Sequence, residues 1–156
     1  MKTKTLAIFG LILLAGCAGS GGGPASVERM YVINCGENHV KDMARWSVAD
    51  AGKSVVFLNH CYLIRHARGW MLWDTGNPDR LAAMPNGLTN PAVGITAFMK
   101  KPLAESLKEL GVAPADIQHF AMSHFHGDHS GNANLFGAST LYMQTAEYDA
   151  VFGPEP

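Results

Sequence analysis

Four side chains able to bind a metal ion lie within six consecutive positions of this chain. They are His124, His126, Asp128 and His129, in the string Ser123-His124-Phe125-His126-Gly127-Asp128-His129. Residues two apart point in nearly opposite directions on a helix and in the same direction on an extended segment, so the first two histidines favour a strand end or a loop. Neutral imidazoles suit zinc, and the adjacent Asp128 and His129 suit a second ion nearby. The spacing predicts a hydrolytic centre of two ions about 3.5 to 4 Å apart; a histidine-rich surface loop is the alternative.

The elements around this motif follow from the apolar pattern. Residues 117–122 form a short apolar run that predicts a buried strand, with the four ligands at its C-terminal end. Gly127 and Gly131 allow the chain to change direction afterwards. The remaining pattern predicts these elements: strands at 29–35, 54–65, 69–74 and 138–144, a helix at 102–110 and a helix at 145–152 with Thr145 as its N-cap.

The helix at 102–110 is predicted to pack one face against the sheet. Ala104, Leu107 and Leu110 form the inward face. Glu105, Lys108 and Glu109 point outward, and Gly111 ends the helix.

The motif and two upstream segments together resemble the metallo-β-lactamase fold superfamily. The motif string, followed by Ser130-Gly131-Asn132, is similar to the signature of that superfamily. Residues 61–66 and 69–76 resemble its hairpin ending in an Asp-Thr-Gly turn, and residues 30–36 resemble its opening strand. With Ala113-Pro114-Ala115-Asp116-Ile117 before the motif, the pattern is most similar to the N-acyl-homoserine lactone lactonases, the quorum-quenching branch. The resemblance implies an α/β fold, an αβ/βα sandwich, of which this chain covers about the first half.

The resemblance also implies an activity. It implies two divalent metal ions, zinc, held in part by His124, His126, Asp128 and His129, and a metal-bound hydroxide that opens a cyclic ester of a small-molecule substrate, an N-acyl-homoserine lactone. In this scheme Asp128 passes a proton to the leaving oxygen. Asp74 would orient a metal ligand, although it could instead cap its own turn through Thr75 and Gly76. The alternatives are hydrolysis of a β-lactam or a glyoxalase-type thioester, and a non-catalytic, truncated metal-binding lipoprotein.

The first residues of the chain are predicted to be a targeting segment. Lys2 and Lys4 precede an apolar run at 6–14 that is too short to span a bilayer. Leu14-Ala15-Gly16-Cys17 resembles the lipobox of bacterial lipoproteins, which implies that residues 1–16 are a signal peptide and that Cys17 is lipidated. Residues 17–27 then form a Gly- and Ser-rich tether. We expect an exported bacterial lipoprotein held on the membrane by acyl chains, on the periplasmic or cell-surface side; ordinary secretion is the alternative.

Residues 28–156 are interpreted as the N-terminal part of the hydrolase domain. Folds of this complexity commonly run to about 200–250 residues, and the chain has 156. Family members draw a third His, a bridging Asp and a last His from the later half. No histidine follows His129, and Asp149 is the only later aspartate. We therefore expect a fragment of a longer protein.

Composition argues against one class of partner. The chain has 12 Lys and Arg against 13 Asp and Glu, and removal of the signal peptide takes away two of the lysines. No basic patch emerges, so nucleic-acid binding is disfavoured. The sequence leaves the oligomeric state open.

Several other residues have structural interpretations. Export would allow Cys35 and Cys61 to pair, but strand neighbours are not automatically at bridging distance, so two buried thiols are favoured over a disulfide. The apolar, Pro-broken segment 81–95 is expected to be a buried connecting loop, with the wall of a substrate cleft as the alternative. The histidines His39, His60, His66 and His119 are expected to be surface or satisfied core residues. The aromatics Trp46, Trp70 and Trp73 are expected to lie in the core or at an interface.

Overall fold

The computed structural model describes residues 26–154. The signal peptide and Cys17 lie outside these residues. The strands are β1 Val27–Val40, β2 Val55–His66, β3 Gly69–Trp73, β4 Leu88–Asn90, β5 Ile95–Phe98, β6 Ile117–Ala121 and β7 Thr140–Tyr142. The helices are α1 Leu103–Glu109, α2 Gly127–Ser130 and α3 Thr145–Phe152. Within the described part of the chain, no helix has both the length and the apolar character needed to cross a bilayer.

The seven strands form one mixed sheet in the order β4-β5-β1-β2-β3-β6-β7. The pairs β3–β6 and β6–β7 are parallel, and all other neighbours are antiparallel. A parallel pair needs a crossover connection, and the segment from β3 to β6 contains α1. Because β3 and β6 run in the same direction, their carboxyl ends meet at one edge of the sheet. That edge carries Asp74 after β3 and the histidine motif after β6.

The hydrophobic core lies on one face of this sheet. Leu63 and Leu72 point into it from β2 and β3, and Leu103 and Leu107 of α1 cover them. The opposite face of the sheet stays open among the described residues: the side chains of Met30, Val32, Leu58 and Trp73 are 41% to 57% exposed. The strands therefore alternate between a packed face and an apolar face in contact with solvent.

The predicted strands and helices are present, but β1 continues to Val40, and β4 and β5 were not predicted. Two details of the helices also differ. In α1 the buried side chains are Leu103, Ser106 and Leu107, and Leu110 is exposed. The helix ends one residue before Leu110, so that side chain lies beyond the packed turns. The N-cap of α3 is Gln144 rather than Thr145, because Thr145 already has helical backbone geometry and only Gln144 is extended.

A β-bulge divides β1 into two parts. Asn34 pairs with His60 and Glu37 pairs with Leu58, so Cys35 and Gly36 both lie opposite Asn59. The extra residue reverses the alternation of side chains along the strand. Ile33 is buried before the bulge, Cys35 is buried within it, and Asn38 and Val40 are buried after it.

The expectation of two buried thiols is wrong. Cys35 and Cys61 form a disulfide with a Cα–Cα distance of 5.9 Å, and both residues are fully buried. The pairing of β1 with β2 sets Cys61 directly opposite Ile33. The bulge then brings Cys35 across to it, within the range that a disulfide spans.

Candidate metal centre

The four motif residues lie where the sequence predicts them, directly after β6. His124 and His126 occupy the loop, and Asp128 and His129 belong to the four-residue helix α2. The ring centroid of His124 is 4.6 Å from that of His126 and 4.1 Å from that of His129. Nε2 of His129 lies 3.6 Å from Oδ2 of Asp128. The fold therefore gathers three imidazoles and one carboxylate.

Asp74 approaches this group from the end of β3. Its Oδ2 lies 2.9 Å from Nδ1 of His129, and its two carboxylate oxygens accept hydrogen bonds from the backbone N–H of Ser123 (2.7 Å) and from Oγ of Ser123 (2.8 Å). Asp74 has φ of 58°, the one positive value outside glycine in the described residues. Such backbone conformations concentrate at functional sites. The Asp74 carboxylate thus reaches the motif and does not cap its own turn.

Ser123 extends this contact to a second histidine. A carboxylate can only accept, so the Ser123 hydroxyl donates its proton to Asp74 and its oxygen accepts from the rings. Nδ1 of His124 lies 3.2 Å and Nδ1 of His129 lies 3.1 Å from that oxygen. Both rings therefore carry their proton on Nδ1, which leaves Nε2 of each ring free to bind an ion.

The electrostatic environment distinguishes these histidines. The hydrogen bond with Asp74 raises the pKa of His129 above its ordinary value, against the opposing effect of burial. Burial lowers the pKa of His124, and the neighbouring His129 and His126 lower it further. Burial of Asp74 opposes its ionisation, but the hydrogen bonds from His129 and Ser123 outweigh burial and hold its pKa below the usual value. Asp74 is therefore a carboxylate whose negative charge faces His129.

The Asp-Thr-Gly turn also fixes the backbone of the motif. The N–H and Oγ1 of Thr75 both donate to the carbonyl of His129, at 2.7 and 2.9 Å. The N–H of Gly131 donates to the carbonyl of Gly76 at 3.0 Å. Asn132 donates through Nδ2 to the carbonyl of Thr75 at 2.7 Å. The turn after β3 and the loop after β6 are thus held as one unit.

The motif opens onto a cleft of about 680 Å³. Besides the motif, the lining includes Asn38, Arg45, Trp46, Phe57, Arg80, Leu81, Leu88, Val93 and Ile95. The expectation that segment 81–95 is a buried connecting loop is wrong. Most of the segment is exposed, and it forms β4 and one wall of the cleft. Its prolines prevent long regular strands. Leu81 is buried, whereas Leu88, Val93 and Ile95 stay partly or fully exposed and line the cleft.

Of the three tryptophans, one packs against the core. Trp46 and Trp73 are 44% and 41% exposed. Trp46 packs edge-on against Phe57 in the cleft wall rather than in the core, and Trp70 packs against the core cluster. The remaining described histidines, His39, His60, His66 and His119, do not line the cleft.

The donor atoms of these side chains are of the kind that binds a divalent metal. Three imidazoles and a carboxylate are a zinc-binding set, and Nε2 of two rings is free. Within residues 26–154, however, no group of three or more His, Cys, Asp or Glu side chains is arranged to hold an ion. His129 and Asp128 instead face each other at 3.6 Å.

Sequence reasoning missed the polar residues that support the motif. Ser123 stands in the motif string with no role assigned by its residue type, yet it contacts two rings and Asp74. Asn38 donates to Asp128, and Asn77 holds Asn38. The position of Ser123 directly before His124 was a usable signal. No pattern indicated Asn38, because its direction depends on the bulge in β1.

Comparison with known proteins agrees with this architecture. The sequence profile of the metallo-beta-lactamase superfamily matches residues 55–142, more than half of the chain. The chain belongs to this superfamily. The N-acyl homoserine lactonase AiiA of Bacillus thuringiensis subsp. kurstaki is 29% identical over 135 residues, which cover 83% of this chain and 54% of that protein. The N-acyl homoserine lactonase AttM of Rhizobium johnstonii is 30% identical over 134 residues, which cover 81% and 49%.

Solved structures of this superfamily show the same fold. A structure of an N-acyl homoserine lactone hydrolase, with the product N-hexanoyl-L-homoserine bound at its catalytic metal centre, matches with a TM-score of 0.71 at 29% identity. The match covers 83% of this chain and 54% of that one. The metallo-β-lactamase fold predicted from the sequence is therefore confirmed. The chain spans about half the length of the curated relatives it matches.

Proposed function

We propose that the protein is a metal-dependent hydrolase that opens the ring of an N-acyl-homoserine lactone with two divalent ions, zinc. The observation that carries this proposal is the meeting of three imidazoles and a carboxylate at one cleft, where Asp74 and Ser123 leave Nε2 of two rings free. The lactonase relatives support the substrate class, since two of them match over most of this chain at 29% and 30% identity.

The four motif residues divide between the two ions. His124 and His126 would hold one ion, and Asp128 and His129 would contribute to the other. When bound, such ions supply an activated water and polarise the carbonyl under attack. Asp74 and Ser123 keep two rings in the tautomer that presents Nε2. Asp128 would take up the proton that the attacking water releases and hand it to the leaving oxygen of the opened ring.

The shape of the cleft supports an acyl substrate. Leu88, Val93 and Ile95 form an apolar wall that begins beside the motif, and Trp46 and Phe57 add aromatic surface. An apolar lining with a few polar groups at one end is the usual form of a small-molecule site. An acyl chain would lie along this wall while the ring meets the histidines.

One observation favours a second candidate. Arg45 and Arg80 both line the cleft, and neither forms an ion pair with a carboxylate in the described residues. Guanidinium groups bind carboxylates well. A substrate that carries a carboxylate, such as a β-lactam or a glyoxalase-type thioester, would match them better than a neutral lactone.

We further propose that the protein is an exported lipoprotein anchored through Cys17. The lipobox-like tetrad ending at Cys17 and the following Gly-rich tether support this proposal. Stable anchoring by acyl chains would set the cleft near a membrane surface.

The experiment measures metal content and hydrolysis together in the protein produced from its complete reading frame. Purified without chelator, it should carry close to two zinc ions per chain, and His124→Ala or His126→Ala should remove at least one ion and abolish lactone hydrolysis. His60→Ala is the matched control, since His60 is exposed on β2 and does not line the cleft. Unchanged metal content in both motif variants would overturn the proposal. A panel of lactone, β-lactam and thioester substrates separates the two candidate functions.

A further inference from the structure

We infer that Asn38 is a positioning residue that holds the carboxylate of Asp128 ready for a metal ion; this inference rests on the proposed function. Asn38 lies on β1, 90 positions from Asp128, and its side chain is buried. Its Nδ2 donates to Oδ2 of Asp128 at 2.8 Å. The contact joins β1 to the motif that follows β6.

The orientation of this amide follows from chemistry alone. A carboxylate oxygen only accepts hydrogen bonds, so the Asn38 atom that faces Asp128 must be the nitrogen. Its oxygen then faces Nδ2 of Asn77 at 3.2 Å. That Asn77 atom also lies 3.0 Å from the carbonyl of Phe98, which is another pure acceptor, so it must be a nitrogen as well.

Asn77 is fixed independently of Asn38. It is 2% exposed, its N–H donates to the carbonyl of Cys35 at 2.9 Å, and its Nδ2 reaches the carbonyls of Phe98 and Glu37 at 3.0 and 3.4 Å. If Asn38 is shortened, Nδ2 of Asn77 still donates to two backbone carbonyls. The turn after β3 therefore stays in place. The direction of the Asn38 side chain is thus imposed by a rigid neighbour.

Asp128 needs this support because its own element provides little. It lies in the first turn of a four-residue helix, and its side chain is 29% exposed. The hydrogen bond from Asn38 engages Oδ2, and Oδ1 accepts no hydrogen bond from the described residues. An asparagine also donates without adding positive charge, which a lysine or arginine would place against the incoming ion. The carboxylate is therefore restrained and still free to bind metal.

Calorimetric titration of the metal-free complete protein with zinc tests this role without measuring turnover. Partners that orient metal ligands change affinity by about 10- to 100-fold when removed, and we expect Asn38→Ala to weaken one of the two binding steps by about 10-fold. In an Asp128→Ala background the same substitution should change nothing further, because Asn38 acts only through that carboxylate. Asn59→Ala is the matched control, as buried as Asn38 at 7% exposed, on the neighbouring strand and without contact to the motif.

Asn38→Asp provides a second variant if Asn38→Ala unfolds. It keeps the acceptor for Asn77 and the volume of the side chain, removes the donor to Asp128, and should weaken the same step at least as much. Wild-type affinity in both Asn38 variants, with ion loss in His126→Ala, would overturn this inference and leave the proposed function standing. An equal loss of zinc affinity in the wild-type and Asp128→Ala backgrounds would also overturn it, because the substitution would then act on the structure in general and not through Asp128. A wild-type protein that takes up no ion would overturn both.

Discussion

Alanine at Gly76 should destabilise the protein more than alanine at any comparable open turn. Gly76 has φ of +67°, and a Cβ there would lie 2.2 Å from Cβ and 2.3 Å from the carbonyl oxygen of Cys35. Cys35 is part of a strand, a bulge and a disulfide, so it cannot rotate away. Relief of the clash must move the Asp-Thr-Gly turn or the strand.

The expected loss of unfolding free energy in Gly76→Ala has two parts. A left-handed backbone conformation costs a residue with a Cβ about 1–2 kcal/mol. Forcing extra volume into a packed site costs about 1–3 kcal/mol more. Gly76→Ala should therefore lose about 2–5 kcal/mol of unfolding free energy. Gly111→Ala isolates the first part, because Gly111 has φ of +72° and nothing within 4 Å of the added Cβ.

Urea unfolding of the two metal-free variants and the wild type measures this difference. We expect Gly111→Ala to lose only the backbone contribution, about 1–2 kcal/mol. Equal losses in the two variants would refute the reasoning, since the close contact with Cys35 would then contribute nothing. Gly76→Ala should also weaken zinc binding, because the carbonyl of Gly76 accepts from Gly131 at the end of the motif.

Three further outcomes are expected. The hydrogen bond with Asp74 raises the pKa of His129 in the folded protein. The stabilisation from this pair is therefore complete below the ordinary value of about 6.5 and is lost as pH rises through the folded value. The unfolding free energy of the metal-free Asp74→Asn variant should lack that loss above about pH 6.5, and the same slope in both proteins would contradict the pairing. Wild type should fractionate with membranes and carry acyl mass on Cys17, whereas Cys17→Ser should lose both; membrane retention of the variant would show that another anchor exists. Residues 17–156 alone should show no lactone or β-lactam hydrolysis above background. Zinc takes at least three protein ligands even at open sites, and in the described residues the neighbouring donors are not arranged in a group of three that could hold an ion. Metal-dependent turnover abolished by His126→Ala would contradict this.

The local elements and the position of the motif were readable from the sequence because they depend on short-range pattern. The apolar run before His124 is β6, and the Asp-Thr-Gly string ends β3. The parallel pairing of these two strands brings Asp74 to His129. The superfamily resemblance implied that pairing, although single-strand pattern does not encode it.

Contacts between residues that are distant in sequence could not be predicted from the sequence. The disulfide depends on strand register, and the cleft wall depends on how segment 81–95 lies against β1 and the motif. Asn38 is 90 residues from Asp128, and no spacing rule links them. Apolar character alone also failed to separate a buried loop from a surface wall at 81–95.

The bulge at Cys35 and Gly36 lets β1 bury both Cys35 and Asn38 although these residues are three positions apart. On one face of a regular strand, side chains are two positions apart. Deleting Gly36 would therefore restore strict alternation and leave Cys35, Asn38 and Val40 on the packed face, with Glu37 and His39 on the other. In gene variants of this protein, the loss of this one codon would thus leave the faces of β1, and the link from Asn38 to Asp128, as they are.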